Sequence, residues 1–390
     1  MLLNKLRRVT RDGRWIPEVD GLRFVAITSV VLFHLTGELA TRSGAFIPIE
    51  PRYNLLFRLI NNGDRGVAVF FVLSGFILAL PFARHFLARA PRVSLRKFYL
   101  RRVTRLEPPY IAALLLSAAM IFAYSRTLGP GFFAHFFAGA FYVHTLIFHN
   151  MNPLNAVAWS LEVEIQFYIL APLFAQFLRI RPTLARRAIL LCIIAACGPL
   201  QIHLLHNLWP SQTILYFVQY FLAGLLLADI YVLDMPRMAA HWAWDAVGLI
   251  GWLTVFGLGH DWLPAHALLP LILPLIYISA FKGPLLQRFF ATPWIAVIGG
   301  MCYSIYLMHL ILIAVVFKVT RHAILFHDFL ANYILQVLFT ALPVVFLCGL
   351  FYLAIERPCM DPAWPTKLWT RLFGKRHHEA DILDTSRIGE

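Results

Sequence analysis

Runs of about twenty apolar residues recur along this chain, separated by short arginine-rich segments, and this pattern restricts the fold more than any other feature of the sequence. A helix of that length spans the hydrocarbon core of a bilayer while keeping its backbone hydrogen bonds internal. With 60% hydrophobic and only 14% charged residues in 390 positions, an ordinary soluble domain is excluded. The reading is an all-α, polytopic integral membrane bundle of about ten transmembrane helices.

Charge placement orients the spans. Lys5, Arg7, Arg8, Arg11 and Arg14 put the N-terminus in the cytoplasm by the positive-inside rule. No apolar core or cleavage site precedes Trp15, so no signal peptide is expected to be removed. The first span, 22–39, runs outward, and the second, 66–83, returns to a basic segment from Arg84 to Arg105; residues 40–65 between them form an external loop. Pro108-Pro109 opens a third span. The stretch 131–149 is interrupted by His135, His144 and His149 and is read as non-spanning, because a crossing there would deliver Arg179, Arg181, Arg186 and Arg187 to the outside. Further spans fall at 159–178, 188–206, 213–233, 243–260, 264–281, 293–317 and 332–355, leaving both termini cytoplasmic. The expected organisation is a basic segment at 1–20, a transmembrane domain at 21–358 and a cytoplasmic, disordered tail at 359–390.

The net charge of +14 does not point to nucleic acid, because its cations lie in short clusters between spans, where they meet anionic lipid. Five cysteines, at 192, 197, 302, 348 and 359, form no paired ligand spacing, and neither a disulfide nor a metal site is expected. The three histidines of 131–149 match no regular metal-ligand pattern.

Four constellations carry chemistry. Asp20-Gly-Leu-Arg23 precedes His34 by eleven positions from the arginine, which sets Arg23 and His34 on one helix face about 16 Å apart. His34 is thereby carried into the membrane interior, where an ionisable group is costly and marks a functional site, although a histidine bonded to a neighbouring carbonyl explains it equally well. In Trp159 to Tyr168, Ser160, Glu164 and Tyr168 recur every fourth residue as a polar stripe, and Glu164 supplies a carboxylate able to charge-stabilise an imidazole acting as a general base. Glu162 is read instead as part of an interfacial helix start. Arg101, Arg102 and Arg105 fall one turn apart and suit phosphates, although a topogenic basic loop accounts for part of the cluster. Tyr303, Tyr306 and His309 share one side of a late span, to donate hydrogen bonds into a cavity or to tie helices together. Ser74-Gly75, in mid-span, reads as a close helix contact.

Together these segments resemble the acyltransferase 3 family of membrane O-acyltransferases, from Asp20 to Pro358. The resemblance is carried by Asp20-Gly-Leu-Arg23 with His34, Phe70 to Phe76, Phe98 to Tyr110 with its arginines, Trp159-Ser-Leu with Glu164 and Phe167-Tyr168, Tyr303-Ser-Ile-Tyr-Leu with His309, and Glu356-Arg-Pro358. It implies an enzyme that takes an acyl group, often acetyl, from acyl-coenzyme A on the cytoplasmic side and places it on a hydroxyl of a sugar-containing acceptor. The acyl-CoA is then a diffusible donor, and no bound cofactor is required. Two departures stand out: Ala68 occupies a position where many members carry an acid, and with about 30 residues past the last span the hydrolase-like domain some members add is not expected.

The expectation is therefore an integral membrane O-acyltransferase of the cytoplasmic membrane. His34 would act as base or transient acyl carrier, with Glu164 stabilising its imidazolium. Arg23, Asp20, Arg101, Arg102, Arg105, Ser160, Tyr168, Tyr303, Tyr306 and His309 would line the substrate site. The acceptor is a carbohydrate or glycolipid of the cell envelope, and homo-oligomerisation is left open. A carrier that flips a lipid-linked sugar or exports a small solute through the same polar cavity is the alternative, and acyl-thioester consumption separates the two.

Overall fold

A computed structural model describes residues 15–42, 53–205, 212–259, 263–320, 322–323, 325–361 and 363–373. The basic residues 1–14, part of the loop expected at 40–65 and the tail from 374 onward lie outside the described residues. Sixteen helices carry the argument: α1 Pro17–Arg42, α2 Asn54–Asn61, α3 Gly66–Ala88, α4 Leu95–Ser125, α5 Phe132–Ala140, α6 His144–Phe148, α7 Ala158–Phe174, α8 Thr183–Leu205, α9 Ile214–Leu233, α10 Trp242–Gly257, α11 Leu263–Lys282, α12 Pro284–Phe290, α13 Pro293–Gly300, α14 Cys302–Thr320, α15 Phe329–Phe351 and α16 Trp364–Phe373. No strand occurs among the described residues, and nine of their helical segments are long and apolar enough to cross a membrane. The protein is thus a multi-pass helical membrane protein. The expected span at 243–260 corresponds to α10, which at 16 residues is shorter, about 24 Å.

The central contact is between α3 and α9. Gly75 and Gly224 face one another's helices so closely that a Cβ on Gly75 would collide with the Phe221 carbonyl, and one on Gly224 with that of Val72. Small residues permit this approach between apolar helices, where dispersion rather than water exclusion drives packing. Around the contact, Phe167 stacks on Phe221 at 4.1 Å between centroids, and Phe71 lies 4.8 Å from Phe221. The Ser74-Gly75 reading as a close contact holds at Gly75; Ser74 has a second role, described below.

Two boundaries differ from expectation. The third span does not start at Pro108-Pro109: α4 begins at Leu95, where the Ser94 side chain accepts from the Lys97 amide at 3.5 Å, and continues unbroken through both prolines. A proline inside a helix leaves the carbonyl four residues earlier without its N–H partner. For Pro108 that carbonyl belongs to Thr104, and the indole N–H of Trp364 donates to it at 2.9 Å. Tyr303 donates to the nearby Leu106 carbonyl at 3.0 Å. At Pro108 a donor from elsewhere in the fold thus replaces the local one, and the arginines of 101–105 stand on the membrane helix itself. Trp364 lies on α16, a helix within the stretch 359–390 that was expected as a disordered tail.

The ninth expected span, 293–317, is broken into α13 and α14 at Met301. At Gly299 the chain passes so close to α1 that a Cβ would overlap the Asp20 carbonyl. Residues 131–149 form only α5 and α6, of nine and five residues, about 14 Å and 8 Å long and too short to span. They are tied by a 2.9 Å hydrogen bond between His135 and His144. Glu162 is not at an exposed helix start; it is buried and accepts from the Thr145 amide at 2.9 Å, holding α6 against α7.

Polar side chains fasten the rest. Asn62 donates to the carbonyls of Phe256 and Leu258 at 2.7 and 2.8 Å, and Arg65 to that of Val255 at 2.6 Å, which satisfies the open C-terminal carbonyls of α10. Arg186 and Arg187 of α8 both engage Asp229 of α9, itself fully buried, and Arg187 also reaches Asp234. Removing one member of such a buried pair costs about 3–5 kcal/mol.

Candidate active site

A cavity of about 1090 Å³ opens where α1, α3, α4, α7 and α14 converge. Its lining changes character along its length. At the open end stand Arg84, Arg92, Lys97 and Arg101, all exposed, followed by Arg102 and Arg105. Further in are Arg23, Ser74, Ser160, Glu164, Tyr168, Tyr303 and Tyr306, and apolar walls are provided by Val30, Val67, Phe70 and Phe71.

Local geometry fixes each of these groups. Arg102 lies 3.6 Å over the Phe98 ring and 5.6 Å from that of Tyr168, and donates to the Phe98 carbonyl at 2.6 Å. It is therefore a positioned, partly shielded cation rather than a swinging surface one. Arg23 is buried and paired with Asp20, which also accepts from the Trp15 indole at 2.8 Å. Asp20 does not line the cavity; it aims Arg23 at it.

Glu164 receives two hydroxyls, from Ser74 of α3 and from Tyr168 one turn along α7, both on the same oxygen. It also lies in the field of Arg23 and Arg105. One carboxylate thus gathers four chain segments into a single charged floor, whose cations outnumber it. The spacing of Ser160, Glu164 and Tyr168 does produce one cavity-facing stripe, and Ser160 meets the Tyr306 hydroxyl at 3.1 Å. Tyr306 also bonds the Val157 carbonyl, and its ring stacks on Tyr303 at 6.4 Å.

His34 stands apart from this floor. It is partly exposed, and lies one turn beyond Val30, the cavity residue of α1 nearest to it in sequence. No hydrogen bond joins it to Glu164 among the described residues. Instead its ring packs 5.2 Å from that of His309 and 5.1 Å from that of Phe33, within the field of the Asp64 carboxylate. The structure therefore separates the residues singled out in sequence into two groups. Arg23, Arg101, Arg102, Arg105, Ser160, Glu164, Tyr168, Tyr303 and Tyr306 share the cavity, whereas His34 and His309 form a pair about one helical turn past it.

Sequence reasoning passed over Ser74, Asp64, Arg84, Arg92 and Lys97 as site residues. Ser74 offered a signal, since it is a hydroxyl within the apolar run Phe70 to Phe76. Asp64 offered none, because only the turn Asn62–Arg65 packed against α1 brings it near His34.

A family model described as an acyltransferase domain, that of the acyltransferase 3 family, matches residues 16–353. The O-acetyltransferase OatA of Staphylococcus aureus is 25% identical over 380 residues, covering 88% of this chain and 57% of that protein. A putative peptidoglycan O-acetyltransferase of Bacillus subtilis is 26% identical over 219 residues, 53% of this chain and 31% of its own. The peptidoglycan O-acetyltransferase OatA of Listeria monocytogenes is 29% identical over 184 residues, 43% of this chain and 26% of its own. The chain thus spans well under two thirds of the length of these relatives. No solved structure matches it. The family match covers nearly the whole chain and bears out the resemblance read from its motifs: this protein belongs to the acyltransferase 3 family.

Proposed function

We propose that the protein is a membrane O-acyltransferase that moves an acyl group, in the simplest case acetyl, from acyl-coenzyme A to a hydroxyl of a sugar-containing cell-envelope acceptor. The observation that carries this reading is the polarity of the cavity: a cluster of six Lys and Arg side chains at its open end, and an imidazole just beyond the far end of its lining. Guanidinium groups bind phosphates in paired hydrogen bonds, and the coenzyme is a polyphosphate joined by a long flexible arm to a thioester. With the phosphates held at Arg101, Arg102 and Arg105, that arm lies along Arg23 and Glu164 and presents its carbonyl toward His34.

His34 takes the proton of the acceptor hydroxyl as the oxygen bonds to the thioester carbonyl carbon. The carbon–sulfur bond then breaks, and the coenzyme thiolate recovers the proton from His34. The acetylated sugar and the free thiol are the products. Glu164 works at the donor end, where it sets Arg23 and Arg105 against one another through charge. The basic end of the cavity faces the cytoplasm in this reading, both termini are cytoplasmic, and the membrane is the cytoplasmic one. The names of two relatives point to peptidoglycan as the acceptor class.

The test is the purified chain in lipid vesicles with acetyl-coenzyme A labelled in its acetyl group and isolated cell-envelope glycans. Consumption of thioester in equal amount to ester formed on the glycan supports the reading. Movement of a glycan across the vesicle without thioester consumption replaces it with a carrier.

A further inference from the structure

The two histidines of the site differ in a way that assigns them different tasks. His309 is fully buried on α14, and its Nδ1 is hydrogen-bonded to the carbonyl oxygens of Ile305 at 3.0 Å and Tyr306 at 2.9 Å. Carbonyl oxygens only accept, so Nδ1 carries the ring hydrogen and Nε2 is left as a lone pair. That Nε2 is buried and has no hydrogen-bond partner among the described residues. A dry, unmatched acceptor is costly, and a chain that needed only volume here would do better with leucine or methionine. The neighbouring ring is that of His34, with centroids 5.2 Å apart and planes at 45°. His34 is the partly exposed member of the two, and His309 sits behind it.

We propose that His34 and His309 work as an imidazole pair, in which a rotation of the His34 ring, already 5.2 Å from that of His309 between centroids, lets it donate its N–H to Nε2 of His309, which fixes His34 in one tautomer and orientation. The remaining nitrogen of His34 is then a lone pair aimed away from α14. His34 is the catalytic residue and His309 the positioning residue. In the transfer step, the proton leaving the acceptor hydroxyl goes to the free nitrogen of His34. The N–H already on the ring stays hydrogen-bonded to His309 while the imidazolium lives, and the proton passes to the departing thiolate. This is the role the sequence suggested for Glu164, which the fold places elsewhere. A neutral imidazole performs it without a second buried charge, with the Asp64 carboxylate as the charge in whose field His34 lies.

Only the chemical step rests on the acyl-transfer reading; the pairing itself involves no substrate. The experiment therefore has two arms. In lipid-reconstituted protein labelled with 15N-histidine, nuclear magnetic resonance should show His309 as the Nδ1–H tautomer, with an Nε2 resonance displaced by hydrogen bonding. That displacement should vanish in His34→Phe. An Nε2 resonance indifferent to His34, or a hydrogen found on Nε2, overturns the pairing whether or not the protein transfers acetyl groups. In the second arm, H309M, which fills the space without an acceptor, should lower kcat for acetyl transfer by roughly 100-fold and leave the KM for acetyl-coenzyme A unchanged. H309Q, whose amide oxygen can replace the lone pair, should recover part of it. Normal kcat in H309M, with the stability of the wild type, overturns the positioning role, and absence of transfer in the wild type instead overturns the acyl-transfer reading.

Discussion

The indole of Trp364 completes a helix to which it does not belong. It donates at 2.9 Å to the Thr104 carbonyl, the acceptor that Pro108 leaves without an intrahelical partner. The C-terminal α16 therefore stabilises the segment of α4 that bears Arg101, Arg102 and Arg105. W364F keeps an aromatic ring but strands the carbonyl. It should cost about 1–3 kcal/mol, seen as a lower melting temperature in detergent. The KM for acyl-coenzyme A should rise as the arginines lose their fixed axis, whereas an unchanged melting temperature would show that water satisfies Thr104 as well as the indole does.

Replacing Arg101, Arg102 and Arg105 together by Gln should raise the KM for acyl-coenzyme A far more than it lowers kcat, because phosphate contacts are made equally in ground and transition states. Arg102→Lys should behave almost like Arg102→Gln. The ammonium keeps the charge but loses the planar stacking over Phe98 and the paired donors. Steady-state kinetics with varied donor check both, and equal activity of the Lys variant would mean that charge alone suffices.

His34→Ala should abolish transfer, by at least roughly 100-fold in kcat, while the protein still inserts and melts normally. Alanine suits a membrane helix, so the loss is chemical rather than structural. The matched measurement is thioester consumption beside thermal stability of the same preparation; near-normal turnover would remove His34 from the mechanism.

Glu164→Gln preserves an acceptor oxygen for Ser74 and Tyr168 but removes the negative charge facing Arg23 and Arg105. With one anion fewer among the cations, donor phosphates are held at least as tightly. The KM for acyl-coenzyme A should therefore not rise, while kcat falls because the arginines lose their balance point. A raised KM with intact kcat would make Glu164 a binding group only.

Gly299→Ala places a methyl group into the Asp20 carbonyl, where backbone meets backbone and no side chain can yield. α13 must then move off α1, and Asp20 with it. The expected result is a loss of about 1–3 kcal/mol, the range of overpacking in a tight core, together with weakened donor binding through Arg23. Thermal melting and donor KM should move together, and a stable variant with wild-type kinetics would show that the helices separate freely.

The span pattern was legible in the sequence because a bilayer imposes it locally. Each apolar run must form its own hydrogen bonds, so α1, α3, α7, α9 and α15 could be read one at a time. The same locality explains the correct expectation that 131–149 is too broken to span and that Ser160, Glu164 and Tyr168 share a face. Prolines misled the reading at α4, since the donor that satisfies the carbonyl stranded by Pro108 comes from Trp364, far away in the chain.

Which polar groups meet was decided only by the tertiary structure. Glu164 and His34 were paired in the sequence reading on charge alone. The close approach of α3 and α9 at Gly75 and Gly224 and of α1 and α13 at Gly299 sets how the helices sit. In the resulting packing Glu164 lies under Ser74 and Arg23, and His34 lies against His309. Spacing along one helix fixes a face and a depth, but the partner across the interface depends on the rotation and offset of two helices, which the residues of either one do not encode alone.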